Sequence, residues 1–214
     1  MRPADAEDSV YYHNDESGSK ILVHIFGNDL GRAVPEVGAG AGYVTQELAN
    51  FSDSVATIEP NQVLFTQLQA RVAHLSNVAV LNMTLDEFMQ PTRGSIDGGR
   101  QFDSVVHINV LEHIDGDARE LSRARKVLAP SGRILIVVPA HRWLYSKVDQ
   151  LSGHFRRYSK SSHRSTHRQA HLRPSKLVYS GSVGMLPYLV IYKWLRSTAV
   201  AGTNAVVYSR VVLP

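Results

Sequence analysis

The stretch VPEVGAGAGYVTQEL, residues 34–48, limits the fold more than any other part of this 214-residue chain. Gly38, Gly40 and Gly42 fall on every second position, Glu36 stands two residues before the first of them, and a helical pattern follows. Glycine adopts positive φ freely and, lacking Cβ, lets a ligand lie against bare backbone. Such a turn between a strand and a helix is the usual ligand cradle of a parallel α/β sheet.

The flanking sequence agrees. Strand patterns occur at AVPEVG, SVATIEP, VAVLNM, FDSVVHINV and RILIVVP, and helical patterns at YVTQELANF, NQVLFTQLQARVAHL and DGDARELSRARKVL. The segment KILVHIFGNDL also has helical apolar spacing, whereas TRGSIDGGRQ reads as a loop and APSG as a turn. Strand and helix thus alternate from about residue 33 to 139, which predicts an α/β fold with a doubly wound, mostly parallel sheet. The near-continuous apolar run FDSVVHINV predicts a strand covered on both faces. We read residues 1–19 as a lead-in or cap, 20–160 as a ligand-binding α/β domain, and 161–214 as a basic C-terminal elaboration of it.

Composition narrows the classes. Cysteine is absent, which rules out a disulfide framework or a thiolate metal site and suits a reducing, cytoplasmic setting. The polar, acidic N-terminal stretch has no apolar core of a signal peptide. No uncharged run reaches the roughly 18 apolar residues of a membrane span. The net charge of +4 is unevenly placed: residues 1–149 carry 13 bases and 19 acids, and residues 150–214 carry ten bases and no acid. That split points to an anionic partner for the C-terminal third.

A dinucleotide fingerprint, G-x-G-x-x-G, would need glycine where Tyr43 stands. The G-x-G-x-G spacing behind an acid suits a ligand with a cationic part better than a pyrophosphate. Glu59, 17 residues after Gly42, ends the second strand, where a carboxylate accepts hydrogen bonds from ribose hydroxyls. The loop LNMTLDEF after the third strand is placed to meet an adenine edge.

EVGAGAGYVT, IEPN, NMTLDEF, FDSVVHINVLEHI and LAPSGRILIVVPA together resemble, in order, the motifs of class I S-adenosylmethionine-dependent methyltransferases, over about residues 20–160. The resemblance implies a Rossmann-like fold and S-adenosylmethionine as cofactor, with S-adenosylhomocysteine as product. It implies that Glu36, Gly38, Ala39, Gly40 and Gly42 line the methionine end. Glu59 and Pro60 then hold the ribose, Thr84 and Leu85 flank adenine, and Asn109 closes the fourth-strand side. The segment after it, ending in GHFRRY, resembles a bacterial subgroup with GHYRRY. Ser131 stands where relatives carry glycine, and the family's last antiparallel strand is either absent or supplied by Ala205–Val212.

Methyl transfer needs an acceptor held in line with the S–CH3 bond and, for a hydroxyl, a base. His154, His113 and Tyr158 are the candidates for catalysis, and Arg156, Arg157, His141 and Tyr145 for binding an anionic acceptor. Ubiquinone-pathway O-methyltransferases and RNA 3′-end methyltransferases place a Glu-His pair and a later His around a divalent metal. Glu112, His113 and His154 match three of those positions, with Asn109 in place of a carboxylate at the fourth, so no metal is favoured. His163, His167 and His171 recur every four residues beside Arg164, Arg168 and Arg173 and read as a basic, exposed or poorly ordered segment, with a metal-binding stripe on a helix as the alternative. GMLPYLVIYKWLR reads as a packed apolar stretch, with a membrane surface or a greasy acceptor pocket as the alternatives. The expectation is O-methylation, ahead of N-methylation, of a small anionic molecule. The rivals are an RNA methyltransferase and a non-catalytic cofactor-binding partner subunit.

Overall fold

The computed structural model describes Phe26, residues 29–90 and 101–180, and the backbone of residues 206–212. The lead-in, most of the helix expected over 20–30, the loop at 91–100 and the GMLPYLVIYKWLR stretch lie outside the described residues.

Five strands come in the expected order: β1 (Ala33–Val37), β2 (Ser54–Ile58), β3 (Val78–Leu81), β4 (Phe102–Ile108) and β5 (Leu128–Pro139). Between them run helices α1 (Tyr43–Phe51), α2 (Gln62–Val72), α3 (Leu85–Phe88) and α4 (Asp117–Lys126). Each helix start has a local cause. Gly42 turns into α1 with φ 88°, which favours glycine. Asn61 caps α2 by accepting from the backbone of Val63 and Leu64 at 3.0 and 3.1 Å. Thr84 and Glu87 form a capping box on α3. Asp117 and Glu120 open α4 while Arg123, Arg125 and Lys126 close it, matching the helix dipole.

The sheet order is β3-β2-β1-β4-β5-β7-β6, where β6 is Arg173–Ser180 and β7 is Val206–Val212. Strands β1 to β5 are parallel; β7 is antiparallel to both β5 and β6. The last antiparallel strand is therefore present, and 206–212 supplies it. Val34, Leu48, Val55, Val106 and Leu135 fill one face of the sheet, and Ile58, Val105, Leu121, Ile134 and Ile136 the other. Both faces of β4 are covered, as its apolar run predicts. Chain order reverses between β1 and β4, and a crevice for ligands lies at such a switch point, beyond the strands' carboxyl ends. Among the described residues, no helix is long and apolar enough to cross a membrane.

Two readings need correction. APSG is no separate turn: β5 runs through it, and the register against β4 shifts between Phe102 and Ser104 to absorb the extra residues. Gly132 sits where a Cβ would meet the Phe102 carbonyl at 2.9 Å, so the irregular pairing depends on its bareness. The histidine segment is not an exposed basic patch either. Helix α6 (Lys160–Gln169) follows α5 (Lys147–Leu151) and turns His163, Thr166 and His167 inward, leaving Arg164 and Arg168 outside. Both histidines are fully buried, with ring centroids 4.4 Å apart. Burial holds both imidazoles below their ordinary range, His167 down to about 4, so they pack as neutral rings. His171 leaves the stripe: it lies past the helix end at φ 54° and is exposed.

Candidate functional site

The glycine turn is built against β2. Gly38 and Ala39 donate to the Ile58 carbonyl at 2.8 and 3.2 Å, and Gly42 donates to the Ala39 carbonyl at 3.1 Å. All three glycines have positive φ: 69° at Gly38, 57° at Gly40 and 88° at Gly42. Their surroundings differ. A Cβ on Gly38 would meet Val110 at 2.7 Å, and one on Gly42 would meet Leu68 at 2.6 Å. A Cβ on Gly40 would meet nothing within 4 Å, so this glycine alone faces open space. Gly38 and Gly42 let the turn pack on the protein; Gly40 leaves room for something else.

Glu59 closes that space. Its two oxygens accept from the backbone of Gly40 and Asn61, each at 2.8 Å, and its own carbonyl accepts from Asn82 at 2.8 Å. A carboxylate has about four lone-pair directions, so each oxygen can still accept a hydroxyl. Burial raises the Glu59 pKa, and the Asn61 and Gly40 N–H groups oppose the rise. Pro60, next in sequence, and Thr84 are exposed, and Leu85, the first residue of α3, is buried. Asn109 follows β4 in the left-handed region at φ 53°, its N–H held by the Val137 carbonyl at 2.9 Å.

Glu36 is 2 % exposed, and its Oε2 accepts from Thr45 Oγ1 at 2.6 Å and Thr57 Oγ1 at 2.9 Å. Burial pushes its carboxyl up to about 7 against the pull of these hydroxyls, and the nearby Glu59 adds to the rise. Neither threonine stood out in the sequence. Only the inward pattern of α1 and β2 hinted at them.

Val110, which packs on Gly38, leads into a tight helical turn, Leu111–His113. One ligand atom each from Glu112, His113 and His154 lies within 4.8 Å of the others. Glu112 is fully buried, and neither of its oxygens meets a donor from another residue. Burial pushes its carboxyl up to about 8, with Arg157 opposing. His113 is exposed, and its ring meets that of His154 edge-on with centroids 4.6 Å apart. An orphaned buried carboxylate flanked by two imidazoles is a donor set that fits a divalent cation.

The GHFRRY segment folds back over this turn. Phe155 N–H donates to the Glu112 carbonyl at 2.8 Å, and Tyr158 N–H to the Pro139 carbonyl at 2.8 Å. His154 Nδ1 lies 3.0 Å from Asp149 Oδ1, and Tyr145 donates its hydroxyl to the His154 carbonyl at 2.6 Å. The structure gives Tyr158 a bracing place, because its buried hydroxyl donates to Asp117 at 2.8 Å. Burial and the Asp117 carboxylate raise its pKa far above the ordinary phenol value.

The two arginines also differ from the expected acceptor clamp. The Arg157 side chain is wholly buried and donates to Asp149 Oδ1 at 2.7 Å, since a guanidinium taken out of water needs a carboxylate. Arg156 is bound to Asp115 at 3.2 Å and Asp117 at 3.1 Å. His141, at φ 62°, stacks on Tyr179 with centroids 4.7 Å apart, at the rim beside the half-exposed Trp143.

Residues 36–134 match the family described as "Methyltransferase domain". A Mycolicibacterium smegmatis protein described as "Probable S-adenosylmethionine-dependent methyltransferase" is 26% identical over 137 residues, 64% of this chain and 48% of that protein. Ribosomal RNA small subunit methyltransferase A of Koribacter versatilis is 34% identical over 68 residues, 32% of this chain and 24% of that protein. The chain thus matches less than half the length of these curated relatives. Among solved structures, the N-methyltransferase NodS of Bradyrhizobium japonicum, in complex with S-adenosyl-L-homocysteine, superposes with a TM-score of 0.66 at 14% identity, covering 98% of this chain and 94% of that one. That likeness is one of fold.

Proposed function

We propose that this chain is a class I S-adenosylmethionine-dependent methyltransferase, as the match over residues 36–134 supports, and that it methylates an oxygen nucleophile on a small, anionic acceptor. The single observation that carries the reading is Gly40. It has a backbone conformation that favours glycine and an open Cβ direction, and it donates to the carboxylate expected to take a ribose.

S-adenosylmethionine, when bound, supplies a methyl group already activated on sulfonium. The chain's own residues then bind and orient. Gly38, Ala39, Gly40 and Gly42 shape the floor, Glu59 offers its free lone pairs to the ribose hydroxyls, and Asn82 holds the Glu59 backbone. Glu36, steadied by Thr45 and Thr57, supplies negative charge toward a cationic amino-acid end. Thr84, Leu85 and Asn109 border the crevice. On the acceptor side, His154 takes the proton of the hydroxyl that attacks. His113 and Glu112 adjoin it, while Tyr145, Arg157 and Tyr158 hold the cap in place. The anionic character of the acceptor rests on outward bases such as Arg164 and Arg168, because Arg156 and Arg157 are matched internally. The cytoplasm, a reducing compartment, suits a chain without cysteine.

Release of S-adenosylhomocysteine across phenolic, carboxylated and phosphorylated acceptors tests the proposal. Glu59→Ala should weaken cofactor binding in calorimetry; His154→Ala should spare binding and lower turnover. A chain that binds neither S-adenosylmethionine nor its product refutes it. An RNA acceptor would instead show affinity falling steeply between low and moderate salt.

A second reading concerns metal. The unpartnered Glu112 carboxylate beside His113 and His154 supports a divalent cation held there, which would orient an acceptor oxygen. Calorimetric titration with Mn2+ and Zn2+ should show one site that Glu112→Gln abolishes; no heat with either ion removes this reading.

A further inference from the structure

Asp149 is the last acid of the chain, lies on α5 and is fully buried. Its two oxygens do different work. Oδ2 accepts from Ser146 N–H at 2.8 Å and Ser146 Oγ at 3.0 Å, closing the capping box that starts α5. Oδ1 lies 3.0 Å from His154 Nδ1 and 2.7 Å from Arg157 Nε. The Asp149 carbonyl also accepts from His154 N–H at 2.8 Å. Each oxygen thus already accepts from a group that can only donate, the Ser146 N–H on Oδ2 and the Arg157 guanidinium on Oδ1.

An oxygen already paired with a guanidinium acts as an acceptor, so the His154 nitrogen facing it must carry the hydrogen. We propose that Asp149 is a positioning residue that fixes His154 as the tautomer protonated on Nδ1, leaving the Nε2 lone pair for the acceptor proton or a cation. The inference rests on the function proposed above only for what Nε2 does; the tautomer itself follows from the contacts. Arg157 is part of the device. Because it fills a second direction on Oδ1, it holds the carboxylate where His154 needs it. That gives the buried guanidinium a role inside the cap rather than on the acceptor. An imidazole so held has one ring orientation, and removing such an outer partner costs about 10- to 100-fold in activity or metal affinity.

Asn cannot replace Asp here. It has one oxygen for the Ser146 pair on one side and for His154 and Arg157 on the other, and its amide group must face donors on one of the two sides. The test uses the full chain at a pH where an ordinary imidazole is neutral. Long-range nitrogen–proton NMR, with the His154 signals assigned by their loss in His154→Gln, should show Nδ1 protonated and Nε2 bare in the wild type. In Asp149→Asn the population should move toward the Nε2-protonated form. Turnover should fall about 10- to 100-fold, with kcat rather than KM affected and S-adenosylhomocysteine affinity kept. Ser146→Ala, which removes a capping contact to Oδ2 and leaves Oδ1 with His154 and Arg157, should lower the melting temperature and leave the tautomer alone. A wild type protonated on Nε2 overturns the proposal even if Asp149→Asn fails to fold. So does a folded Asp149→Asn with an unchanged tautomer. Loss of cofactor binding in the wild type would instead refute the methyltransferase reading and leave the tautomer result standing.

Discussion

Replacing Glu36 with Gln should change how stability depends on pH. Gln keeps the size and one acceptor oxygen for Thr45 and Thr57, so the cradle should survive. What it loses is a titration. The Glu36 carboxyl moves from an ordinary 4.5 to about 7 on folding, because burial outweighs the hydroxyl contacts. A carboxyl raised in the folded state stabilises fully below its unfolded pKa, and that contribution is lost as pH rises through the folded value. The loss runs at up to about 1.4 kcal/mol per pH unit. Integrated from pH 5 to pH 8 it comes to roughly 2 to 3 kcal/mol. Urea unfolding followed by circular dichroism, on wild type and Glu36→Gln at both pH values, measures it. The variant should gain on the wild type by that amount at the higher pH. With an m-value of about 2 kcal/mol per molar, the relative midpoint shift is roughly 1 M. Parallel curves for the two proteins would refute the claim that Glu36 is buried and high in pKa. Saturating S-adenosylmethionine should reduce the difference, because a cation beside Glu36 favours the ionised form.

The glycine turn gives a comparison between two single methyl groups. Gly40→Ala meets no protein atom, so its folding penalty should be only the ~1–2 kcal/mol of left-handed backbone, while calorimetry should show cofactor affinity falling at least tenfold. Gly42→Ala drives a Cβ to 2.6 Å from Leu68 and should cost more stability, visible as a lower melting temperature. For His167, whose folded pKa is lowered to about 4, the sign is opposite to that of Glu36. Its stability contribution is present above about 6.5 and is lost as pH falls, by about 2 kcal/mol at pH 5. Urea midpoints for His167→Leu should therefore drop less between pH 7 and pH 5 than those of the wild type.

The glycine-turn half of the candidate site is legible in the sequence because backbone creates it. Bare glycines, a strand of five buried residues before them and a carboxylate at the end of the next strand leave a pattern in order and spacing. Element bounds were readable for the same reason: β1, α1, β2 and α2 are local periodicities with local caps. The cap half depends on pairings across sequence distance, and there identity misled. Arg157 and Tyr158 look like functional surface groups in GHFRRY, yet Asp149 and Asp117, eight and 41 residues earlier, bury them. His163 and His167 look like a basic stripe, yet a neutral imidazole is apolar enough to pack beneath α6.

Asp149 shows why such partners go unread. In sequence it is one more acid on a short helix. Its meaning comes from two oxygens meeting donors from both sides, and only the folded cap brings Ser146, His154 and Arg157 around it. A buried acid and a buried base that each would be costly alone are acceptable together. The consequence is that the cap is held by the same contacts that orient its histidine. Folding of this segment and the aim of the candidate base are then one event, so variants that loosen the cap should lose turnover before they lose the cofactor, whose proposed cradle lies on β1 and β2.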